Sequence, residues 1–320
     1  MVPIILLSPS KTLHDPLVNS SESWKSQFSQ GLGSANSTLT LSLLKALEAM
    51  SLDQLQEYYG VSQSIAEKLK VYYSENPPIQ PVWTWYTGEA FKYLDLPSLK
   101  SQGGKGWTRA VTHLVILSSL YGGHRPEELM RPYRLDFTLP LPPNFHQVYT
   151  KSSSISDSLA SSLPKTLRGM WEKSIQQYLL DLAETQETSV VVSCASEEFE
   201  SLAVSALQRD PKTIKSQSNL PLSSDGIDLI RIEFYQRHPK TGKTTKISAR
   251  AKQARGAFAR WVLEQVPDQC TSAEEIMDFL TGFNQLGYSS TSVQADYEGE
   301  GLRISNLVFT QSQSSSLQTS

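Results

Sequence analysis

The sequence predicts an α/β fold, a single compact domain in which helices pack on a mixed sheet. Three observations carry this reading. Short continuous apolar runs at 2–7, 113–120 and 189–193 have the character of strands buried on both faces. Stretches with helical apolar spacing separate them. A composition of 39% hydrophobic and 19% charged residues over 320 residues supplies a core without metals or disulfides.

The run at 2–7 predicts a first buried strand, with Ser8-Pro9-Ser10-Lys11-Thr12 as the loop at its carboxyl end. Residues 19–38, rich in Ser, Asn and Gln with two glycines, predict a mobile surface insertion. Helical spacing starts near Leu41 with Leu43, Leu44, Leu47 and Met50. Ser51, with Gln54 three residues on, predicts a capping box opening the next helix. After Pro77, Pro78 and Pro81 comes the aromatic run Trp83-Thr84-Trp85-Tyr86, and 100–107 reads as a basic, Gly-rich loop. The strand at 113–120 ends at Tyr121-Gly122-Gly123. A Ser-rich stretch at 152–163 leads into a helix around 168–183. After the strand at 189–193, residues 208–224 are polar and irregular. Residues 229–235 alternate, with Ile230, Ile232 and Phe234 on one face and Arg231, Glu233 and Tyr235 on the other. His238-Pro239-Lys240-Thr241-Gly242-Lys243 then predicts a hairpin turn. The domain is expected to span 1–310, followed by a disordered Ser/Gln-rich tail at 311–320.

Several function classes are disfavoured. No stretch approaches the roughly 18 apolar residues of a membrane span. The amino-terminal segment lacks the basic region of a signal peptide. Cys194 and Cys270 form no C-x-x-C pair and suit a reducing compartment. The expectation is a soluble, cytoplasmic protein without a membrane partner. The five histidines are scattered, and G-x-S-x-G, P-loop and G-x-G-x-x-G patterns are absent, so neither a metal nor a cofactor is expected.

Charge is unevenly placed. The net charge of −3 argues against a nucleic-acid coat protein. Between Glu233 and Glu264, however, there is no acid, and eight Lys and Arg residues concentrate a positive field there. Within it, Lys252 and Arg255 lie three positions apart and can reach a common anion, and Gly256 permits a close approach of backbone or phosphate. A cationic helix snorkelling over a core face accounts for the same spacing.

Three further segments are chemically suggestive. Residues 55–69 read as helix, tight Gly60-Val61-Ser62 turn and helix, similar to a helix-hairpin-helix whose turn amides hold a DNA phosphate. An ordinary αα-hairpin fits the same pattern. Arg125, Arg131 and Arg134, interleaved with Tyr121 and Tyr133, suit stacked bases and phosphates, or else hold local carboxylates such as Glu127, Glu128 and Asp136. Ser196 and Glu197 follow a strand's carboxyl end, where ligands sit in open α/β sheets, although a helix cap is the simpler role for Ser196.

An ordered set of landmarks spans nearly the whole chain: Ser8-Pro9-Ser10-Lys11-Thr12, Tyr86-Thr87-Gly88, Leu120-Tyr121-Gly122 with Arg125-Pro126, and Pro132-Tyr133-Arg134-Leu135. It continues through Ala195-Ser196, Lys252 with Ala254-Arg255-Gly256, Thr281-Gly282-Phe283-Asn284 and Leu307-Val308-Phe309. In this set the chain resembles the YaaA family of peroxide-stress proteins. The resemblance implies an α/β fold with a positively charged cleft, a helix-hairpin-helix element at about 51–73, and DNA binding that is not sequence-specific. Carried over by position, Lys11, Arg125, Arg134, Lys252 and Arg255 are the expected cleft cations, and Gly60 marks the hairpin. Ser8, Tyr86, Tyr121, Ser196 and Glu197 are candidates for a pocket. The alternative is an enzyme acting on a nucleobase or nucleotide in the same cleft, with Lys11, Ser196, Glu197, Arg255 and Tyr86 foremost and Glu89 behind them. A third class, docking of an acidic protein partner on the basic segment, predicts saturable protein binding without DNA binding.

Overall fold

The computed structural model describes residues 1–14, 36–75, 77–153, 163–208, 226–237, 241–299 and 301–311. In chain order its strands are β1 (Ile4–Leu7), β2 (Gln80–Pro81), β3 (Leu114–Ser118), β4 (Gly122–His124), β5 (Leu129–Met130), β6 (Val190–Ser193), β7 (Ile227–Arg237), β8 (Thr244–Thr245), β9 (Tyr288–Gly299) and β10 (Leu302–Gln311). Its α-helices are α1 (Ser37–Glu48), α2 (Leu52–Tyr59), α3 (Gln63–Tyr72), α4 (Val82–Trp85), α5 (Glu89–Leu94), α6 (Leu96–Gln102), α7 (Gly104–His113), α8 (Phe145–Ser153), α9 (Leu167–Thr185), α10 (Glu197–Gln208), α11 (Ser248–Gln265) and α12 (Ala273–Thr281).

One sheet frames the molecule, in the order β4-β3-β1-β6-β7-β10-β9 with β8 on β7, while β2 and β5 pair separately. β3, β1, β6, β7 and β10 run parallel, and β4, β8 and β9 join antiparallel. The architecture is thus the mixed α/β class expected from the sequence. β1, β3 and β6 are buried along their whole lengths, which is why they read as unbroken apolar runs. In β7 the expected alternation holds: Ile230, Ile232 and Phe234 are buried, and Arg231, Glu233 and Tyr235 are half-buried.

The long β9–β10 hairpin was not anticipated. β9 is rich in Ser and Thr and mostly exposed, so it carries little apolar signal. Its place is set by ladder bonding to β10, which itself pairs with β7 over ten residues.

Two helix boundaries correct the sequence reading. The first helix begins at Ser37, not near Leu41, because the Asn36 side chain accepts the Leu39 amide at 3.0 Å. Residues 100–107 are not a loop: α6 and α7 are separated only by Gly103, whose positive φ of 64° stops the first helix. The remainder of the 19–38 stretch, most of 152–163, 209–224, the turn residues 238–240 and the tail after Gln311 lie outside the described residues.

The expected capping box is present: Ser51 Oγ accepts the Gln54 amide at 3.2 Å, and Gln54 Oε1 accepts the Ser51 amide at 2.8 Å. Gly60, at φ 59°, ends α2 with a Schellman pattern in which the Val61 amide donates to Gln56 O and the Gly60 amide to Glu57 O. The α2–α3 pair is tied to the body by buried Arg131, which donates to the carbonyls of Tyr72 (2.8 Å) and Ser74 (3.0 Å) at the end of α3. Tyr59 and Tyr73 link their hydroxyls at 2.8 Å, and Tyr73 donates onward to Arg134 O.

Candidate functional site

The chain leaves β1 toward β3 on one side of the sheet, and leaves β6 toward β7 on the other. The loops after β1 and β6 therefore diverge at a topological switch point, the position where open α/β sheets leave a crevice. Here the crevice is a cavity of ≈ 460 Å³. Its lining comes from the 8–12 loop, the start of α5, the β6–α10 turn and one face of α11.

Each wall has a local cause. β1 stops at Ser8-Pro9 because proline has no ladder donor. The Ser8 hydroxyl accepts the Ser196 amide at 2.6 Å and meets the Ser196 hydroxyl at 2.9 Å, clasping the two strand ends. Ser10 folds its own loop: its Oγ donates to Thr12 O at 2.9 Å and accepts the Thr12 amide at 3.0 Å. Gly88 lets that loop come close, since a Cβ there would stand 2.2 Å from Ser10 Oγ. Gly256 brings α11 against α5, since a Cβ there would lie 1.9 Å from Ala90 O. The close approach foreseen at Gly256 is therefore made to protein backbone.

Arg255 and Lys252 reach the cavity from α11. Arg255 Nε is buried without a hydrogen-bond partner among the described residues. Burial pulls its guanidinium below the usual range, opposed by Cys194, Glu200 and Glu233. Glu200 is already engaged, accepting from Arg231 at 2.7 Å and from Ser193 at 2.9 Å. Glu233 accepts from Lys246 at 3.2 Å and Tyr235 at 2.6 Å. A buried donor left unmet costs about 1–3 kcal/mol, more when charged, and Arg255 carries that cost in the lining of the cavity. Lys252 is exposed and makes no ion pair among the described residues. Lys11 stands at the rim with its ammonium 3.0 Å from Asp136. Two lining residues are acidic. Glu89 is bonded to Lys92 and Gln253 at 2.7 Å each, and Glu198 Oε1 accepts the Phe137 amide at 3.3 Å.

Of the residues singled out in the sequence, the fold gathers Ser8, Lys11, Ser196, Lys252 and Arg255 around one cavity. Glu197 is exposed at the start of α10 and is not in the lining, whereas its neighbour Glu198 is. Tyr86 is buried beside the cavity wall, its hydroxyl 3.0 Å from His124 Nε2 and 3.2 Å from the Tyr133 hydroxyl. Its backbone runs along the β1 loop through a bridge to Leu13, so it supports the site from behind. Tyr121 is also in the core, bonded to the Arg131 backbone and stacked on His124 at 5.2 Å.

Arg125 follows β4, which runs antiparallel to β3 and so finishes at the amino-terminal ends of the parallel strands, away from the β1 and β6 loops. Its Nε is 3.1 Å from Glu128, the local-carboxylate role weighed for that loop. Arg134 is exposed on the loop that leads to Asp136, the partner of Lys11. Gly60 is in the α2–α3 turn and outside the cavity lining. Sequence reasoning did not single out Phe91, Glu198 or Phe199, and it placed Ser10 only within the β1 loop. Glu198 had a signal, one position after the residue chosen, but the phase of α10 was needed to choose between them.

Comparison with known proteins agrees with these landmarks. A family model described as peroxide stress protein YaaA matches residues 4–292. A UPF0246 protein of Rickettsia africae is 25% identical over 264 residues, 82% of this chain and 86% of that protein. One from Rickettsia conorii is 25% identical over 266 residues, with the same two shares. One from a Jannaschia species is 27% identical over 253 residues, 78% of this chain and 80% of that protein.

Proposed function

The chain belongs to the YaaA family of peroxide stress proteins, and we propose that it acts in the cytoplasmic response to peroxide by gripping nucleic-acid phosphate, above all that of DNA. The observation that carries this reading is Arg255, a guanidinium with a buried, unmet Nε at a cleft where exposed Lys252 adds charge and Lys11, paired with Asp136, stands at the rim. Guanidinium forks hold phosphate oxygens in pairs, and the surrounding hydroxyls can supply neutral donors. Such contacts hold the backbone and read no base sequence.

The α2–α3 hairpin supplies a second grip in this reading. Its second helix starts among exposed Ser62, Gln63 and Ser64 with no side-chain cap, so first-turn amides are available to a phosphate. Arg134, exposed on the loop whose backbone is bonded to Tyr73, is a further cation in this reading. Only part of the acid-free segment contributes: Lys246 is paired with Glu233, and Arg260 with Glu264 and Asp95.

The test is a salt titration of binding to duplex, nicked and single-stranded DNA, comparing the parent chain with Lys252→Ala/Arg255→Ala. Affinity should fall with a log–log slope of roughly −0.9 per phosphate neutralised on duplex. The double variant should bind more weakly with a shallower slope. Absence of binding at low salt, or an unchanged double variant, would sink the proposal.

The enzymatic reading gains support from the same cavity, where the Ser8–Ser196 hydroxyl pair and the Glu198 carboxylate stand with Arg255. Incubation with DNA and nucleotides followed by product analysis tests it, and loss of turnover in Arg255→Lys would mark a positioning fork.

A further inference from the structure

We infer that the cavity between the β1 and β6 loops is shaped for one phosphate-bearing nucleotide unit, either a free nucleoside monophosphate or the terminal nucleotide of a strand. The inference rests on the reading that the cleft's ligand carries a phosphate, and it names which part of a nucleic acid enters.

The mixture of groups on the wall carries the argument. The flank of a duplex presents phosphate oxygens, which are acceptors, so a wall built for it alone would be cationic throughout. This wall also holds Glu89 and Glu198. Hydrogen bonds from Gln253 and Lys92 hold the Glu89 carboxyl below its usual range, and it stays ionised. Glu198 spends Oε1 on the Phe137 amide, while Oε2 has no hydrogen-bond partner among the described residues. A carboxylate in that position repels a second phosphate but accepts readily from a sugar hydroxyl or a base amine. A nucleotide offers both ends in one molecule: phosphate for Arg255 and Lys252, donors for Glu198.

The remaining wall fits the apolar body of such a ligand. Pro9, Phe91 and Phe199 give the cavity an apolar stretch of wall, with both rings buried and packed from behind against Tyr86 and Phe137. A volume of ≈ 460 Å³ lies within the roughly 300–1,000 Å³ of small-ligand sites. A duplex could place a nucleotide there only by unstacking it, which is least costly for damaged or unpaired bases.

The experiment measures calorimetric binding of dAMP, deoxyadenosine and inorganic phosphate to the full chain. In parallel, fluorescence anisotropy follows single strands with and without a terminal phosphate. We expect dAMP to bind at least about tenfold more tightly than deoxyadenosine, with Arg255→Ala removing the difference. Lys252→Ala, at an exposed position, serves as the variant least able to disturb folding. Glu198→Ala should weaken dAMP while strengthening inorganic phosphate, a crossed response that general loss of structure cannot produce. Competition by dAMP together with a preference for terminally phosphorylated strands identifies the strand end as the source. Binding of dAMP without that preference identifies the free nucleotide. Intact, salt-sensitive duplex binding with neither dAMP binding nor a terminal-phosphate effect overturns this inference and leaves the DNA reading standing. Binding of dAMP without any DNA binding overturns the DNA reading alone. Failure of every phosphate-bearing probe overturns both.

Discussion

Replacing Gly256 by alanine isolates the contact that shapes the candidate site. Gly256 lies inside α11, where alanine is the better helix former by about 0.8–1 kcal/mol. On local preference the variant would therefore be more stable. The tertiary structure reverses this, because the added Cβ would lie 1.9 Å from Ala90 O and 2.7 Å from Ala90 C. The obstacle is backbone, so no rotamer change relieves it, and α5 must retreat by about 1 Å. Overpacking of this kind costs about 1–3 kcal/mol and occasionally more. With a rigid obstacle, the upper part of that range applies, leaving a net loss of about 2 kcal/mol. Thermal unfolding followed by circular dichroism should show a Tm lowered by about 3 °C. Because Glu89, Ala90 and Phe91 form one wall of the cavity, dAMP and DNA affinity should fall as well. Gly60→Ala is the control: its φ is 59° and a Cβ would meet nothing within 4 Å, so only a backbone cost of about 1 kcal/mol applies, with no change at the cavity. A Gly256→Ala protein as stable as its parent would refute the reasoning, by showing that α5 yields freely.

Arg131→Met should cost about 3 kcal/mol, since it strips the donors from the Tyr72 and Ser74 carbonyls at the end of α3; faster amide exchange confined to 51–73 would confirm the anchor, and unchanged exchange would refute it. Burial pulls His124 down to about 3 and His113 to about 4, against roughly 6.5 in an unfolded chain. The folded protein thus binds fewer protons between these values, so the stability from both histidines is full above about pH 6.5 and is lost as pH falls toward 3–4. Urea midpoints should drop between pH 7.5 and 5, with a shallower slope in His113→Gln; an identical slope would remove that histidine from the account. Burial also pushes the Cys194 thiol up to about 12, so it should resist iodoacetamide in the native state despite bordering the cavity. Rapid labelling of Cys194 at neutral pH, read by mass spectrometry, would contradict its buried placement.

The sequence by itself determined what local chemistry can specify. Buried strands announced themselves as unbroken Val, Ile and Leu runs, because a strand covered on both faces has no polar positions. The capping box at Ser51 and the glycine end of α2 were legible because their partners lie within five residues. The loop after β1 and the turn after β6 could be recognised as strand ends, but their adjacency could not, since Ser8 and Ser196 meet across 188 residues. Charge was readable as composition and not as availability. Arg131 and Arg125 looked like ligands in sequence, yet the fold spends one on helix carbonyls and the other on Glu128. Arg255 looked no different from them. What separates it is that Glu200 and Glu233 are engaged by other groups while its own Nε is shut away from water. Desolvation and pairing depend on which distant residues arrive at the same place, and only the tertiary structure decides that.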